Sequence, residues 1–303
     1  MDTASDKALQ RFAELMIEKI KQVEDNWQKP WFGIKGGGLP QNIEGRTYNG
    51  VNSFMLFLLS EKEQYSLPVY MTFMQAKDSG LNILKGEKSF PVIYWNFSVR
   101  DKNGKKIPFD VYKNLDKNEQ QEYKVTPFLK TYNVFNVQQT NLQETKPEKW
   151  EALKEQFKIP AIKDEQGMLT VPLIDAMVRE QQWICPIYSK EGNSAYHARG
   201  EENHIVVPLK GQFKDGENFY STLLHEMAHS TGEPEHLNRE KGVIFGDKQY
   251  AKEELVAELT SATVGQSLGI STHIREENAM YLKNWLGALK EDPKFIYNIL
   301  ADV

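Results

Sequence analysis

Three residues within five positions, His225, Glu226 and His229, carry the chemistry that is easiest to read in this chain. Together they spell H-E-x-x-H. On an α-helix with about 3.6 residues per turn, side chains four apart point roughly the same way, one turn along. Two imidazoles at that spacing can face one Zn²⁺, and the glutamate between them can reach the water at the open metal position as a general base. The surrounding residues suit a half-buried helix. Phe219, Leu223, Leu224, Met227 and Ala228 supply an apolar face, and Gly232 stands just past the last histidine as a stop signal.

A catalytic zinc site takes a third protein ligand. In the metzincin pattern that slot would fall on Glu235; His236 comes one residue late, and Pro234 interrupts the geometry. The stretch Tyr250–Leu268 is a better source. Leu255, Val256, Leu259, Ala262, Thr263 and Leu268 form a packing face, while Glu254 and Glu258 share another face at i,i+4. This is similar to the gluzincin arrangement, in which the first glutamate binds metal and the second orients a histidine. The expected ligands are therefore His225, His229 and Glu254, with Glu226 as the catalytic base. Glu258 is the outer partner or the alternative ligand. Glu253 is expected to face solvent, and Tyr250 or His236 to serve as the oxyanion donor.

These residues need elements to position them. The 303 residues are enough for two ordinary domains, with 40% hydrophobic and 11% aromatic content to build cores. The single cysteine, Cys185, excludes an intrachain disulfide and fits a reducing, cytoplasmic setting. No basic segment followed by an apolar run marks a signal peptide, and the apolar run at 54–59 is too short to span a bilayer. Net charge is −5, but unevenly spread. Residues 1–150 carry 21 Lys+Arg against 18 Asp+Glu, a balance of +3, and residues 151–303 carry 16 against 24, a balance of −8.

Along the chain, Leu9, Phe12, Met16, Ile20, Val23 and Trp27 predict an amphipathic helix ended by Pro30. Asn52 or Ser53 is read as capping a short apolar helix through Leu59, and the stretch 71–80 as another short helix closed by Gly80. Strands are predicted at 90–99 and 131–137, with the charged stretch 101–124 as an insertion or long hairpin. The polar, proline-bearing segment 144–167 reads as a lightly packed connection between independently folding halves. A helix over 171–180 and strands at 182–188, 195–197 and 204–208 lead into the metal helix, and two further helices close the chain. The strand at 204–208 is expected to hold an extended peptide beside the metal. In the front half Trp27, Trp31, Tyr48, Tyr94 and Trp95 offer stacking faces, and Lys29, Lys35, Arg46, Lys85 and Lys88 offer phosphate contacts. Ordinary core packing explains aromatics at such spacings equally well, and the basic excess is small.

The segments WQKPWF, LPQNIEGRTYNGVNSFML, YMTFMQAKDSGLNILKGEKSFPVIYW and YNVFNVQQ together resemble the N-terminal domain of ArdC-type antirestriction proteins. STLLHEMAHSTG, YAKEELVAELTSA and YLKNWLGALKED are similar to the zincin-like metallopeptidase domain of the same family. The resemblance covers nearly the whole chain in family order. It implies an α+β protein of two domains: an α/β single-stranded DNA-binding domain over 1–145, then a zincin-like metallopeptidase domain over 146–303. It also implies a mobile-element protein that protects incoming DNA from restriction during conjugation, with Zn²⁺, single-stranded DNA and a candidate peptide substrate as its partners and no membrane. In the front half it marks Trp31, Asn42, Arg46, Tyr48, Asn52, Gln75 and Gln138 without separating DNA contacts from fold residues; with the cations read above, the expected DNA contacts are Trp31, Arg46, Tyr48, Asn52, Lys85 and Lys88. A zinc protease of a host or regulatory protein, with the front domain as targeting module, is the alternative. A housekeeping peptidase whose front domain binds protein is a third.

Overall fold

A computed structural model of the chain describes residues 3–26, 30–33, 36–239, 248–274, 278, 281–292, 294–300 and 303. Trp27, Lys29 and Lys35 lie outside the described residues.

The first helix, α1 (Ala4–Asp25), starts on a capping box between Thr3 and Asp6 and buries Phe12, Met16, Ile20 and Val23, the face its periodicity predicts. After β1 (Gln41–Asn42) comes α2 (Gly50–Glu63), with Asn49 at its N-cap position but no side-chain capping bond, buried from Asn52 to Leu59. Then follow β2 (Val69–Thr72), α3 (Phe73–Asp78) and the long strand β3 (Phe90–Asp101). The charged stretch forms β4 (Lys106–Ile107), α4 (Phe109–Lys113) and α5 (Lys117–Gln120), and β5 (Tyr123–Asn136) returns along β3. Registered from Phe90↔Val134 to Asp101↔Tyr123, β3 and β5 form the long hairpin anticipated there. The five strands lie in the order β1-β2-β5-β3-β4.

The connecting segment is not lightly packed. After α6 (Leu142–Thr145), α7 (Pro147–Gln156) hides an apolar stripe in polar surroundings: Trp150, Leu153 and Phe157 are buried against Leu67, Val69 and Met71. A short hairpin, β6 (Ile162–Lys163) and β7 (Leu169–Thr170), leads to α8 (Pro172–Arg179). Strands β8 (Ile187–Lys190), β9 (Tyr196–Ala198) and β10 (His204–Pro208) form a second sheet in the order β8-β10-β9. Helices α9 (Gly216–Ser230), α10 (Lys248–Ser267), α11 (Leu282–Glu291) and α12 (Lys294–Leu300) complete the chain.

The halves are not independent either. One core runs through both: Phe12 and Met16 of α1 and Phe54 of α2 belong to the same buried cluster as Leu255 of α10, Trp285 of α11 and Ile299 of α12. A separate cluster, including Ile187, Ile205, Tyr220 and Leu223, fills the space between α9 and the second sheet. The glycine loop ties the halves further. Gly37 N–H donates to the Phe157 carbonyl at 2.9 Å, Gly38 N–H to that of Ser267 at 2.7 Å, and Gln266 Nε2 to that of Gly36 at 3.0 Å. A Cβ on Gly37 would collide with the Ile159 side chain, so no larger residue fits this crossing without displacing it. Among the described residues, no helix is long and apolar enough to cross a membrane.

Candidate metal centre

Helix α9 begins at Asp215, whose carboxylate accepts from Asn218 N–H at 2.8 Å. One face of the helix packs Phe219, Tyr220, Leu223, Leu224 and Met227 into the second core. His225 and His229 face α10 instead. Their Nε2 atoms are 3.0 Å apart, and both converge on Glu254. His225 Nε2 is 3.3 Å from Glu254 Oε2, and His229 Nε2 is 3.5 Å from Oε1. One ligand atom from each of the three lies within 4.8 Å of the others, and all three residues are buried.

The neighbouring groups hold these donors in place. Glu258 Oε1 lies 3.7 Å from His225 Nδ1, one turn from Glu254. Asn278 Nδ2 donates to both carboxylates, at 2.8 Å to Glu254 and 2.9 Å to Glu258. Glu253, expected in solvent, is only 3% exposed. The α9 and α10 helices pack closely enough that an arc of about 100°, the angle between successive helical residues, faces the histidines. Glu254 therefore meets the Nε2 edge, and Glu253 meets the other edge, 3.2 Å from His229 Nδ1. Arg239 fixes Glu253 through two bonds, Nε to Oε2 at 3.0 Å and Nη2 to Oε1 at 2.9 Å. The same guanidinium donates to the Ala228 carbonyl and Thr231 Oγ1, both at 2.8 Å, so it also caps the end of α9.

The electrostatics follow from this crowding. Burial opposes the charge on Glu253, but His229 and Arg239 hold its carboxyl down to about 2. Glu254 is likewise held far below the usual carboxylate range by the two histidines, against its burial. Burial pulls His229 down, yet Glu253 and Glu254 together push it up to about 9. Glu226, Glu253, Glu254 and Glu258 are all buried, and Arg239 pairs with Glu253. Such a concentration of buried negative charge is costly unless cations balance it. Two imidazole nitrogens and a carboxylate oxygen form the donor set that a divalent ion such as zinc prefers. The residues therefore fit a divalent metal.

The other sequence candidates fall elsewhere. Glu235 and His236 are exposed on the turn after α9. The Tyr250 hydroxyl bonds to Glu254, and burial followed by the charge of Glu254 raises its pKa well above the ordinary phenol value. The strand at 204–208 cannot take up a peptide, because β10 is the central strand, paired with β8 on one side and β9 on the other. The outer strand beside α9 is β9. There His197 Nδ1 lies 3.9 Å from Glu233, which follows the histidine helix.

In the front half, Trp31 is 0% exposed and lies in the shared core, and Tyr48 is buried against Tyr70. Trp31 offers no stacking face, and Tyr48 shows only 6% of its surface, where it lines a groove on the first sheet. Asn52 does not cap α2 or face a ligand. It clamps β3, donating to the Ile93 carbonyl at 2.6 Å and accepting from Ile93 N–H at 2.9 Å. Gln138 Oε1 accepts from the Ser66 and Leu67 amides at 2.6 and 3.0 Å, a structural role. Lys85 and Lys88 are exposed between α3 and β3. Arg46 is exposed and, with Tyr94 and Trp95, lines a groove on the first sheet. Sequence reasoning misses Arg239 and Asn278, which carry no motif; proximity to the histidines is the only signal Arg239 offers.

Known proteins resemble this chain over almost its whole length. Residues 6–135 match the family described as the N-terminal domain of anti-restriction factor ArdC, and residues 174–302 match the zincin-like metallopeptidase family. A DNA primase TraC of Escherichia coli is 33% identical over 308 residues, which cover 97% of this chain. The chain spans only about a quarter of that relative, 26% of its length. The metal-free crystal structure of the antirestriction ArdC protein from plasmid R388 superimposes with a TM-score of 0.70 at 27% identity, covering 97% of this chain and 93% of that one. Its Mn(II)-bound structure gives 0.66 at 26% identity, covering 96% and 93%. The chain is an α+β protein of ArdC type, joining a segment that matches the N-terminal domain family of anti-restriction factor ArdC to one that matches the zincin-like metallopeptidase family.

Proposed function

We propose that this protein counters restriction of incoming mobile-element DNA during conjugation by binding single-stranded DNA through its front half, and that its back half is a zinc peptidase centre acting on a protein. The reading also places the protein in the cytoplasm, where such DNA arrives. The observation that carries the peptidase reading is the buried set of His225 Nε2, His229 Nε2 and Glu254, with Glu226 on the same helix turn as the histidines. Zn²⁺ bound there supplies Lewis acidity toward a peptide carbonyl and toward water. His225, His229 and Glu254 would hold it. Glu226 is the group that takes a proton from the attacking water and returns it to the leaving amine. As an outer strand, β9 offers an extended peptide a backbone edge beside that site. The balance of −8 in the back half disfavours phosphate there, which supports peptide over DNA as the substrate.

Metal analysis, peptide cleavage and restriction protection, measured on the same set of variants, test this reading. Glu254→Ala is expected to lose bound zinc, Glu235→Ala to keep it, and Glu226→Gln to keep zinc while losing cleavage of unfolded protein substrates. Full zinc in Glu254→Ala together with loss in Glu258→Ala would transfer the ligand role to Glu258. Full protection by Glu226→Gln would assign protection to DNA binding alone. Loss of protection would assign it to proteolysis.

A further inference from the structure

The five-stranded sheet carries a groove of about 670 Å³ that has no part in the metal centre. Its walls include Arg46, Tyr94, Trp95, Phe109, Lys113 and Tyr132, and among the described residues that line it none is an aspartate or glutamate. At the rim, Glu44 accepts from Gln75 Nε2 at 3.3 Å. Trp95 is 54% exposed and Tyr132 38%, although both stand on the two longest strands of the sheet. A contiguous patch of large aromatics held at the surface beside cations is the kind of feature that marks an interaction site. Their arrangement is fixed. Tyr94 and Tyr132 meet edge to face at 5.7 Å, and Phe97 stacks on Phe109 at 4.4 Å. Lys113 Nζ lies 4.8 Å from the Phe109 ring centre, and Lys130 Nζ 4.8 Å from that of Tyr132. Arg46 is presented by a tight turn in which Asn42 Oδ1 accepts from the Glu44 and Arg46 amides at 3.1 and 2.8 Å.

We infer that this groove is the single-strand site itself, with bases stacking on Trp95, Tyr94 and Tyr132 and phosphates meeting Arg46, Lys113 and Lys130. The inference rests on the single-strand binding proposed above and gives it a location. The charged insertion then has a role, since α4 supplies Phe109 and Lys113 as the outer wall. Stacking requires bases with open faces, which a duplex does not present, and cations on a wall whose described lining residues include no carboxylate complement a phosphate chain.

Fluorescence anisotropy of the full-length protein with a labelled dT20 strand and a duplex of the same length provides the test. Wild type is expected to prefer the single strand and to weaken as salt rises. Trp95→Ala and Tyr132→Ala should each weaken binding about fivefold or more, about fivefold being the low end of what one lost stacking platform costs. Lys113→Ala should weaken it and flatten the salt dependence. Lys149→Ala, an exposed cation on α7 outside the groove, should change nothing. All four side chains are exposed, so unchanged melting temperatures will show that the fold is intact. A wild type that binds dT20 while Trp95→Ala and Lys113→Ala bind equally well would overturn the location and leave single-strand binding standing. A wild type that binds no single strand, or prefers the duplex, would overturn both.

Discussion

Arg239 lies outside the H-E-x-x-H motif and is not among the expected ligands, yet Arg239→Ala is expected to damage the metal centre. Its guanidinium makes two bonds to the buried Glu253 carboxylate, which in turn meets His229 Nδ1. With the guanidinium gone, Glu253 keeps its burial but loses a paired counter-charge. Breaking a buried pair from one side costs about 3–5 kcal/mol. The depression of Glu253 gives an independent figure for its partners together. A fall from 4.5 to about 2 corresponds to roughly 3 kcal/mol at about 1.4 kcal/mol per pH unit. Because the folded value is the lower one, this stability is present above pH 4.5 and is lost as pH falls through about 2. The second consequence falls on the metal. Glu253 fixes the His229 ring and keeps the proton on Nδ1, leaving Nε2 free to bind, and losing such a partner typically weakens metal affinity by about 10- to 100-fold.

Two measurements on Arg239→Ala separate these effects: urea unfolding of the metal-free protein at pH 7, and zinc affinity by chelator competition. Both stability and affinity are expected to fall, with Arg239→Lys intermediate because an ammonium cannot reproduce the two-pronged contact. Lower stability with unchanged zinc affinity would refute the positioning role and leave Arg239 as a brace for the end of α9.

A zinc ion bound through His229 would have to displace the proton that this ring holds up to about pH 9, so apparent affinity should rise about tenfold per pH unit from 6.5 to 9; a flat profile in chelator competition would contradict this. In the metal-free protein the raised His229 contributes stability below pH 6.5 that is lost as pH rises through about 9, which urea unfolding across that range should register. Trp285 is 2% exposed and donates from Nε1 to the Ala251 carbonyl at 2.9 Å, so Trp285→Ala should cost about 3–5 kcal/mol. Hydrogen exchange should then accelerate in β3 as well as α9, and acceleration in α9 alone would show that the halves unfold separately.

The pairing of His225 with His229, and of Glu254 with Glu258, is legible in the sequence because each pair is local. Residues four apart on a helix must share a face, and Glu254 and Glu258 repeat that logic on α10. Glu253 is misplaced by the same logic. Periodicity assigns a helical residue to one side, but a helix packed along its length buries more than one stripe, and here two adjacent glutamates serve opposite edges of one imidazole. Trp31, Tyr48 and Asn52 show the limit in the front half. Composition says that a tryptophan can stack on a base, but only the packing of α1, α2 and the sheet decides that Trp31 is enclosed while Trp95 is left in solvent. Asn278 is invisible to sequence reasoning, because its contacts depend on how the chain returns to α10.

Helix α10 joins these observations. Near its start it carries Glu253, Glu254 and Glu258. At its end, Gln266 and Ser267 bond to the glycine loop, and that loop runs through Leu39 and Pro40 into β1 and the turn that presents Arg46. Between those ends Leu255 and Leu259 lie in the core shared with α1 and α2. The metal centre and the groove are therefore placed by one packed framework rather than by a tether. A polymer held in the groove would lie at a fixed offset from the metal centre. A framework of this kind suits a protein that keeps hold of one partner while acting on another.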